Sequence, residues 1–326
     1  MKKFEVVIIG AGPAGLSAAK VLTEGGKKVL VLEKNQEIGP KICAGGLTFK
    51  DFDLGIPIQI AERVFYSIKI NYLGKTIEVK RDSRPLVATI EREKLSQWQV
   101  QQIKKGLEIR TNSEVMEIKS NSVLLKDNQE IEFEYLIGAD GSLSSARRHL
   151  NLPIKNTLLT MQCLTPERFA DLEVFFDQKL FGSGYAWIFP HKNYTAVGCG
   201  IESKSQKANK LSANFHQWLK EKGIDSKNAD LQTFPVNLDY QGFEFGNKFL
   251  IGDAGGFASG LTGEGIYFAI VSGQEIARKI LNPSYNLPKL KKILKIKRTQ
   301  ETLGRFLMFK VLKSKPLTQF LLKRTI

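Results

Sequence analysis

Val6-Val7-Ile8-Ile9-Gly10-Ala11-Gly12-Pro13-Ala14-Gly15 decides how the rest of the chain is read. Four consecutive β-branched apolar residues suit a strand buried on both faces, as in a parallel sheet. Glycines then supply a tight turn, and Ala14 to Leu22 reads as a helix. A second apolar strand, Val29 to Leu32, ends on Glu33. Strand, glycine turn, helix N-terminus, strand and acid, in that order, form the fingerprint of a dinucleotide site. Each part has its own task. Gly10 permits the turn, Gly12 lets the main chain approach a pyrophosphate, and Gly15 lets helix and strand pack closely. The helix N-terminus, with Ala14 in its first turn, offers free N–H groups and the positive end of a dipole to phosphate. Glu33, with Lys34 beside it, is placed to accept from a ribose hydroxyl.

Two more glycine signatures follow. Gly138-Ala139-Asp140-Gly141 ends an apolar strand over Glu132 to Ile137. Gly252-Asp253-Ala254-Gly255-Gly256 ends the short strand Phe249-Leu250-Ile251 and runs on to Gly263-Glu264-Gly265. Between them the pattern predicts strands near 64–79 (turning at Asn71 to Lys75), 87–90, 107–110, 113–119, 157–164, 171–177, 184–190 and 194–200. Helices are predicted over 92–105, 205–222 and 265–281. The fold class is therefore α/β. A discontinuous Rossmann-like domain is expected at 1–60, 91–155 and 245–288, with a mainly antiparallel β domain, 61–90 and 156–244, inserted into it. A helical tail, 289–326, follows.

Composition limits the function classes. At 326 residues and 42% hydrophobic content the chain buries a full core and is not disordered. It has no run of 18 uncharged apolar residues, which argues against a spanning helix. Met1-Lys2-Lys3 precedes only four apolar residues, so a strand is expected there and no export signal. Cys43, Cys163 and Cys199 are odd in number and widely spaced, against a disulfide framework or zinc site and for a reducing cytosol. No Ser/His/Asp or metal-ligand constellation stands out, and His149, His191 and His216 read as structural.

The net charge of +15 is concentrated at one end: from Lys289 onward there are twelve Lys/Arg and one acid, Glu301, or 12 − 1 = +11. Leu, Ile and Phe are interleaved with these cations. Such a segment suits the surface of an anionic membrane, or equally a helix packed on the core with a solvated lysine face. Both readings stay open. Nucleic acid is disfavoured, because no groove-reading motif or aromatic platform accompanies the charge. An acidic electron-transfer protein is a further partner, by electrostatic steering.

With its three signatures the chain resembles FAD-dependent oxidoreductases of the aromatic hydroxylase and geranylgeranyl reductase superfamily, over everything but the tail. Gly184-Tyr185-Ala186-Trp187-Ile188-Phe189-Pro190 resembles the Tyr-x-Trp-x-Phe-Pro motif of the geranylgeranyl reductase branch. Lys41-Ile42-Cys43-Ala44-Gly45-Gly46-Leu47 resembles that branch's cysteine-glycine loop beside the isoalloxazine. Gly256 stands where aromatic hydroxylases carry histidine, and Tyr185 and Phe189 depart from the motif of flavin halogenases. Gly260 stands where the family usually has proline.

The resemblance implies FAD as cofactor, held by the first glycine turn, Glu33 and Lys34, Cys43 and Gly45, Arg92, the backbone of Val115, Asp140, Asp253, Gly263, Gly265 and Ile266. It implies Cys43, Tyr185 and Trp187 as catalytic residues. The expected activity is reduction of carbon–carbon double bonds in an isoprenoid chain, a geranylgeranyl lipid or polyprenyl quinone. The single dinucleotide fingerprint is claimed by FAD, so reducing equivalents are expected from NAD(P)H docking transiently or from a small acidic redox protein. A flavin monooxygenase acting on an aromatic or polyprenyl substrate is the alternative, followed by a non-catalytic prenyl-lipid carrier. A cytoplasmic protein, peripheral on the membrane face, is the expected location.

Overall fold

The computed structural model describes residues 2–103, 105–225, 230–304 and 316, which divide into two compact units. The first comprises Met1–Pro40, Arg92–Lys155 and Asn237–Arg298. Its elements are β1 (Lys2–Ile9), α1 (Pro13–Glu24), β2 (Val29–Leu32), α2 (Arg92–Gln101), β3 (Leu107–Arg110), β4 (Glu130–Gly138), β5 (Lys248–Leu250), α3 (Ile266–Leu281) and α4 (Pro288–Thr299). The five strands lie parallel in the order β5-β4-β1-β2-β3. A hairpin, Val115–Ile118 with Ser122–Leu125, adds antiparallel to β4. All four residues of β2 are buried, as a strand covered on both faces requires.

Register carries this architecture to function. Ile9 lies opposite Leu32 on one side and Gly138 on the other, and Gly138 lies opposite Leu250. Four strands therefore end level, and the chain leaves the sheet there at Gly10, Glu33, Ala139 and Ile251. That carboxyl edge is where open α/β sheets take ligands.

Helix α1 lies tightly against α3, because Gly273 has no side chain: a Cβ there would sit 2.3 Å from the Ala14 carbonyl oxygen. Helix α4 then joins the same unit, burying Leu290 and Ile293. Glu275 of α3, fully buried, accepts from the Lys289 and Leu290 amides at 2.9 and 3.2 Å and so caps the start of α4. The tail expected from residue 289 is thus part of the first unit as far as Arg298. The rest of that segment, 305–315 and 317–326, lies outside the described residues.

The second unit comprises Lys41–Glu91, Asn156–Val236 and Thr299–Ile326, and the first two segments supply its sheets. Its start lies twenty residues before the expected boundary at 60. The reason is pairing: Gly46–Thr48 and Arg63–Phe65 both bond antiparallel to Val87–Thr89, a small sheet that ties residues beyond Pro40 to this unit. Seven strands form the larger sheet, in the order Gln232–Asn237, Thr157–Thr165, Thr195–Glu202, Tyr185–Pro190, Glu173–Phe176, Ser67–Tyr72, Lys75–Lys80. Glu173–Phe176 pairs in parallel with Ser67–Tyr72, while the ladders running from Thr157–Thr165 to Glu173–Phe176, and from Ser67–Tyr72 to Lys75–Lys80, are antiparallel. Leu73 and Gly74, at φ 49° and 70°, close the hairpin with the left-handed pair that a two-residue turn demands.

Helix Leu211–Glu221 buries Leu211, Phe215, Trp218 and Leu219, a 3.6-residue stripe, against Val197, Cys199 and Ile201 of that sheet. Among the described residues no helix is long and apolar enough to cross a membrane.

Candidate active site

In the first unit the three glycine signatures converge on one sheet edge. Gly10, at φ +103°, turns the chain so closely against the second signature that a Cβ would lie 2.5 Å from the Ala139 oxygen. Gly15 packs against Gly10 itself, its missing Cβ 2.1 Å from the Gly10 carbonyl oxygen. Gly252 of the third signature abuts Ala14, with a built Cβ 2.9 Å from the Ala14 methyl. Gly12 differs from all of these. A Cβ on it would meet nothing within 4 Å. One glycine of the turn thus faces open space while its neighbours are packed solid, which is the form of a cradle for a phosphate.

The ends of α1 and α3 fit the same ligand. Neither N-terminus has a side-chain cap or an acid in its first turn, so both leave amide donors and positive potential for an anion. Gly265 is the N-cap of α3 and Ile266 its first residue. Glu33 is fixed at the end of β2 by amides, Ala11 N–H at 2.9 Å and Asn35 N–H at 3.0 Å, one on each oxygen. A carboxylate offers about four lone-pair positions, so acceptor capacity remains for a ribose hydroxyl. Lys34 beside it is exposed, Arg92 opens α2 with a buried Nε that has no hydrogen-bond partner among the described residues, and Val115 is buried at the start of its hairpin. These residues fit a dinucleotide.

Asp140 does something other than expected. Its carboxylate accepts from Ser145 N–H at 2.6 Å, Ser145 Oγ at 2.8 Å and Ala146 N–H at 3.3 Å, with Ser144 Oγ on the other oxygen. It therefore anchors the short helix Ser145–His149 rather than facing outward to a ligand. That helix carries Arg147, which is buried and bonds the carbonyls of Leu152 and Ala254 at 3.0 and 3.3 Å. Burial pulls its guanidinium below the usual arginine range, and Asp239 pushes back. Ala254 follows Asp253, so Arg147 ties the second signature to the third. Ser142 Oγ reaches the Asp253 carboxylate at 3.5 Å.

The loop beyond Asp253, which contains Gly260, is braced from elsewhere. Lys297 of α4, almost fully buried, donates to Ala258 O at 2.7 Å and Leu238 O at 2.9 Å. Ser259 N–H bonds Glu264 O at 3.0 Å and Gly263 N–H bonds Ser259 O at 3.0 Å, with Gly263 at φ +66°.

In the second unit, strand alternation splits Tyr185–Pro190 into two faces. Ala186 and Ile188 join the core under helix Leu211–Glu221. Tyr185, Trp187 and Phe189 turn to the other side, where Tyr185 and Trp187 lie 5.9 Å apart at their ring centroids. Trp187 Nε1 is buried and has no hydrogen-bond partner among the described residues. Phe189 packs on Gly46, whose absent Cβ would be 2.6 Å from the ring. The aromatic face and the cysteine-glycine loop are therefore neighbours in this unit.

Within that loop Cys43 is half-buried, and its Sγ accepts from Gly45 N–H at 3.4 Å. Two residues hold the loop: His191, which reads as structural in the sequence, and Glu62, which the sequence leaves unassigned. His191 Nε2 bonds Ala44 O at 3.0 Å, and His191 Nδ1 bonds Glu62 Oε2 at 2.6 Å. They stand 129 positions apart in sequence, and only the fold brings them together. Among the described residues no cluster of His, Cys, Asp and Glu suits a metal ion.

Comparison with known proteins agrees with this geometry. The family profile described as FAD binding domain matches residues 3–284. An uncharacterized protein of Methanosarcina barkeri is 30% identical, the match covering 87% of this chain and 76% of that one. Digeranylgeranylglycerophospholipid reductase 3 of Methanosphaera stadtmanae is 27% identical over 89% of this chain and 81% of its own. The crystal structure of a geranylgeranyl bacteriochlorophyll reductase-like protein from Thermoplasma acidophilum shares the fold, with a TM-score of 0.78 at 21% identity, covering 99% of this chain and 91% of that one. A family match that runs through the segments of both units shows that the chain belongs to the FAD-binding domain family and is an FAD-dependent oxidoreductase, similar in sequence to geranylgeranyl reductases.

Proposed function

We propose that this protein reduces carbon–carbon double bonds in the isoprenoid chain of a lipid, with a geranylgeranyl chain as the first candidate. The observation that carries the reading is the pairing of Cys43's loop with the Tyr185-Trp187-Phe189 face, through Phe189 on Gly46. A thiol beside an aromatic wall is what an apolar alkene needs. The wall orients the chain and excludes water, and the thiol holds a proton. FAD, when bound and reduced, supplies hydride.

The chain's own residues divide the remaining work. Gly12, the α1 N-terminus and Glu33 hold the pyrophosphate and ribose, while Arg92, Val115 and Asp253 serve the rest of the cofactor. The Gly265 and Ile266 amides stabilise negative charge at the start of α3. Cys43 gives its proton to one alkene carbon as hydride reaches the other. Reducing equivalents arrive from NAD(P)H or a small acidic redox protein. The exposed face of α4, with Lys289, Lys291, Lys292, Lys295 and Arg298 and no acid, suits contact with an anionic lipid surface.

The test is anaerobic incubation of dithionite-reduced protein with geranylgeranyl lipids, followed by mass spectrometry. Gains of two daltons per reduced bond are expected without oxygen. A strict oxygen requirement, with gains of sixteen daltons instead, would show a monooxygenase. Cys43→Ser is expected to keep FAD and lose alkene reduction; unchanged turnover would remove the thiol from the chemistry.

A further inference from the structure

We propose that His191 and Glu62 are positioning residues that polarise the Ala44–Gly45 peptide and so set the reactivity of the Cys43 sulfur; the link to turnover rests on the reading that Cys43 acts in alkene reduction. One peptide group connects the two ends of the argument. Its carbonyl, Ala44 O, accepts from His191 Nε2 at 3.0 Å, and its amide, Gly45 N–H, donates to Cys43 Sγ at 3.4 Å. A donor on the oxygen of an amide strengthens the N–H of that amide as a donor, by about 10–30% per bond in a chain of such bonds.

The proton inventory fixes the direction. A carbonyl oxygen only accepts, so His191 Nε2 carries a proton. The other ring nitrogen meets Glu62 Oε2 at 2.6 Å, a short contact that requires one proton between the partners. Both side chains are almost completely buried, 1% and 2% exposed, where such bonds are little screened. The ring is held in place by stacking on Tyr194, centroids 4.4 Å apart and planes 13° from parallel. Glu62 is held by its own amide bond to Thr89 O at 2.7 Å.

The loop is shaped to receive this contact. Gly45 adopts φ +73°, and a Cβ on it would lie 2.8 Å from His191 Cε1 and 2.5 Å from Ile90 O. Ile90 N–H closes the turn on Gly45 O at 2.9 Å. In the reductive step the Cys43 S–H bond would break as a C–H bond formed on one alkene carbon, the other carbon taking the hydride that a reduced flavin would supply. The electron pair stays on sulfur, where the polarised Gly45 N–H stabilises it, until water returns a proton.

Alkylation of Cys43 by iodoacetamide, assigned by peptide mass spectrometry in the full-length protein at neutral pH, reads this coupling without cofactor or substrate. The anion is the form that alkylates. His191→Ala is expected to slow Cys43 alkylation about 1.5- to 3-fold, a tenth to a third of one hydrogen bond to a charged group. It should lower kcat at least as much while leaving KM unchanged. His191→Gln, which keeps an N–H for Ala44 O, is expected to recover most of both. Glu62→Gln, nearly isosteric, is expected to fall between and carries the test should His191→Ala fail to fold. Wild-type alkylation rates in folded His191→Ala, or in Glu62→Gln, would overturn the proposal. Slowed alkylation in these variants beside undiminished turnover of Cys43→Ser would leave the coupling standing and remove the catalytic reading of Cys43.

Discussion

Gly12 and Gly15 stand three residues apart in one turn, and the structure assigns them opposite sensitivities. At Gly15 an added methyl would be driven to 2.1 Å from the Gly10 carbonyl oxygen, a backbone atom fixed between β1 and α1. Neither side can yield cheaply, so Gly15→Ala should cost about 3 kcal/mol, the upper part of the range for overpacking. For a unit of this size that is roughly 6–12 °C in Tm, at about 2–4 °C per kcal/mol. At Gly12 the backbone has φ −78° and ψ 179°, which any residue adopts, and the methyl meets nothing. Gly12→Ala should therefore leave the cofactor-free protein as stable as wild type or about 0.4–1 kcal/mol more so, through the unfolded chain.

The order reverses when FAD is added. The Gly12 methyl occupies the space through which the pyrophosphate approaches, and an overpacking cost of about 1–3 kcal/mol corresponds to a Kd raised about 5- to 150-fold. Gly15→Ala protein that remains folded should bind with a smaller loss. Thermal unfolding of the stripped proteins and FAD titration by flavin fluorescence read the two quantities separately. If Gly12→Ala loses as much cofactor-free stability as Gly15→Ala, the open space beside Gly12 does not exist. If it binds FAD like wild type, the phosphates do not lie there.

Two more outcomes follow from buried and half-buried carboxylates. Glu275 accepts from Tyr285 Oη at 2.8 Å and Arg278 at 3.1 Å besides the two amides of α4. Glu275→Ala leaves those donors stranded and should cost about 3–5 kcal/mol, Glu275→Gln only about 1–2; equal losses in denaturant titrations would contradict the capping role. Glu5 accepts from Lys27 Nζ at 2.7 Å and Lys28 N–H at 2.8 Å, the lysine bond first among the causes that hold its carboxyl below the usual range. Its folded value is depressed, so its contribution is complete above the ordinary glutamate range and lost as pH falls through the lowered value. Glu5→Gln should therefore lower stability at neutral pH by no more than about 1 kcal/mol given its partial exposure, read as a small drop in Tm, and match wild type in strong acid. A gap that persisted at low pH would rule out the carboxylate as its source.

What the sequence disclosed was what is local. The four apolar residues before Gly10 and the glycine spacing predict strand, turn and helix within one short window, and the register of β1 with β2 and β4 follows from them. Of the small sheet in the second unit the sequence showed the strand at 87–90 and the start of the 64–79 run, but not Gly46–Thr48, which is three residues long, too short for alternation to show, and finds its partner forty residues on at Val87–Thr89. Asp140 carried a signal that a motif reading passes over: serines four and five positions later, the spacing at which a carboxylate meets a helix start. His191 and Glu62 carried none, because each lies at the end of its own segment and their contact is made only by sheet pairing.

Helix α4 shows why a basic amphipathic pattern supported two readings at once. Leu290 and Ile293 mark a buried stripe whose next member, one turn on, is Lys297. The sequence counts that residue as a charge, but its stem lies along the apolar face and its ammonium ends on two carbonyls inside the first unit. The packing alternative is thus realised through a lysine that braces the loop after Asp253. The other cations of the helix point outward and are not consumed by this contact. Packing one face of α4 on the core and presenting the opposite face to an anionic surface are therefore compatible, because different lysines serve each.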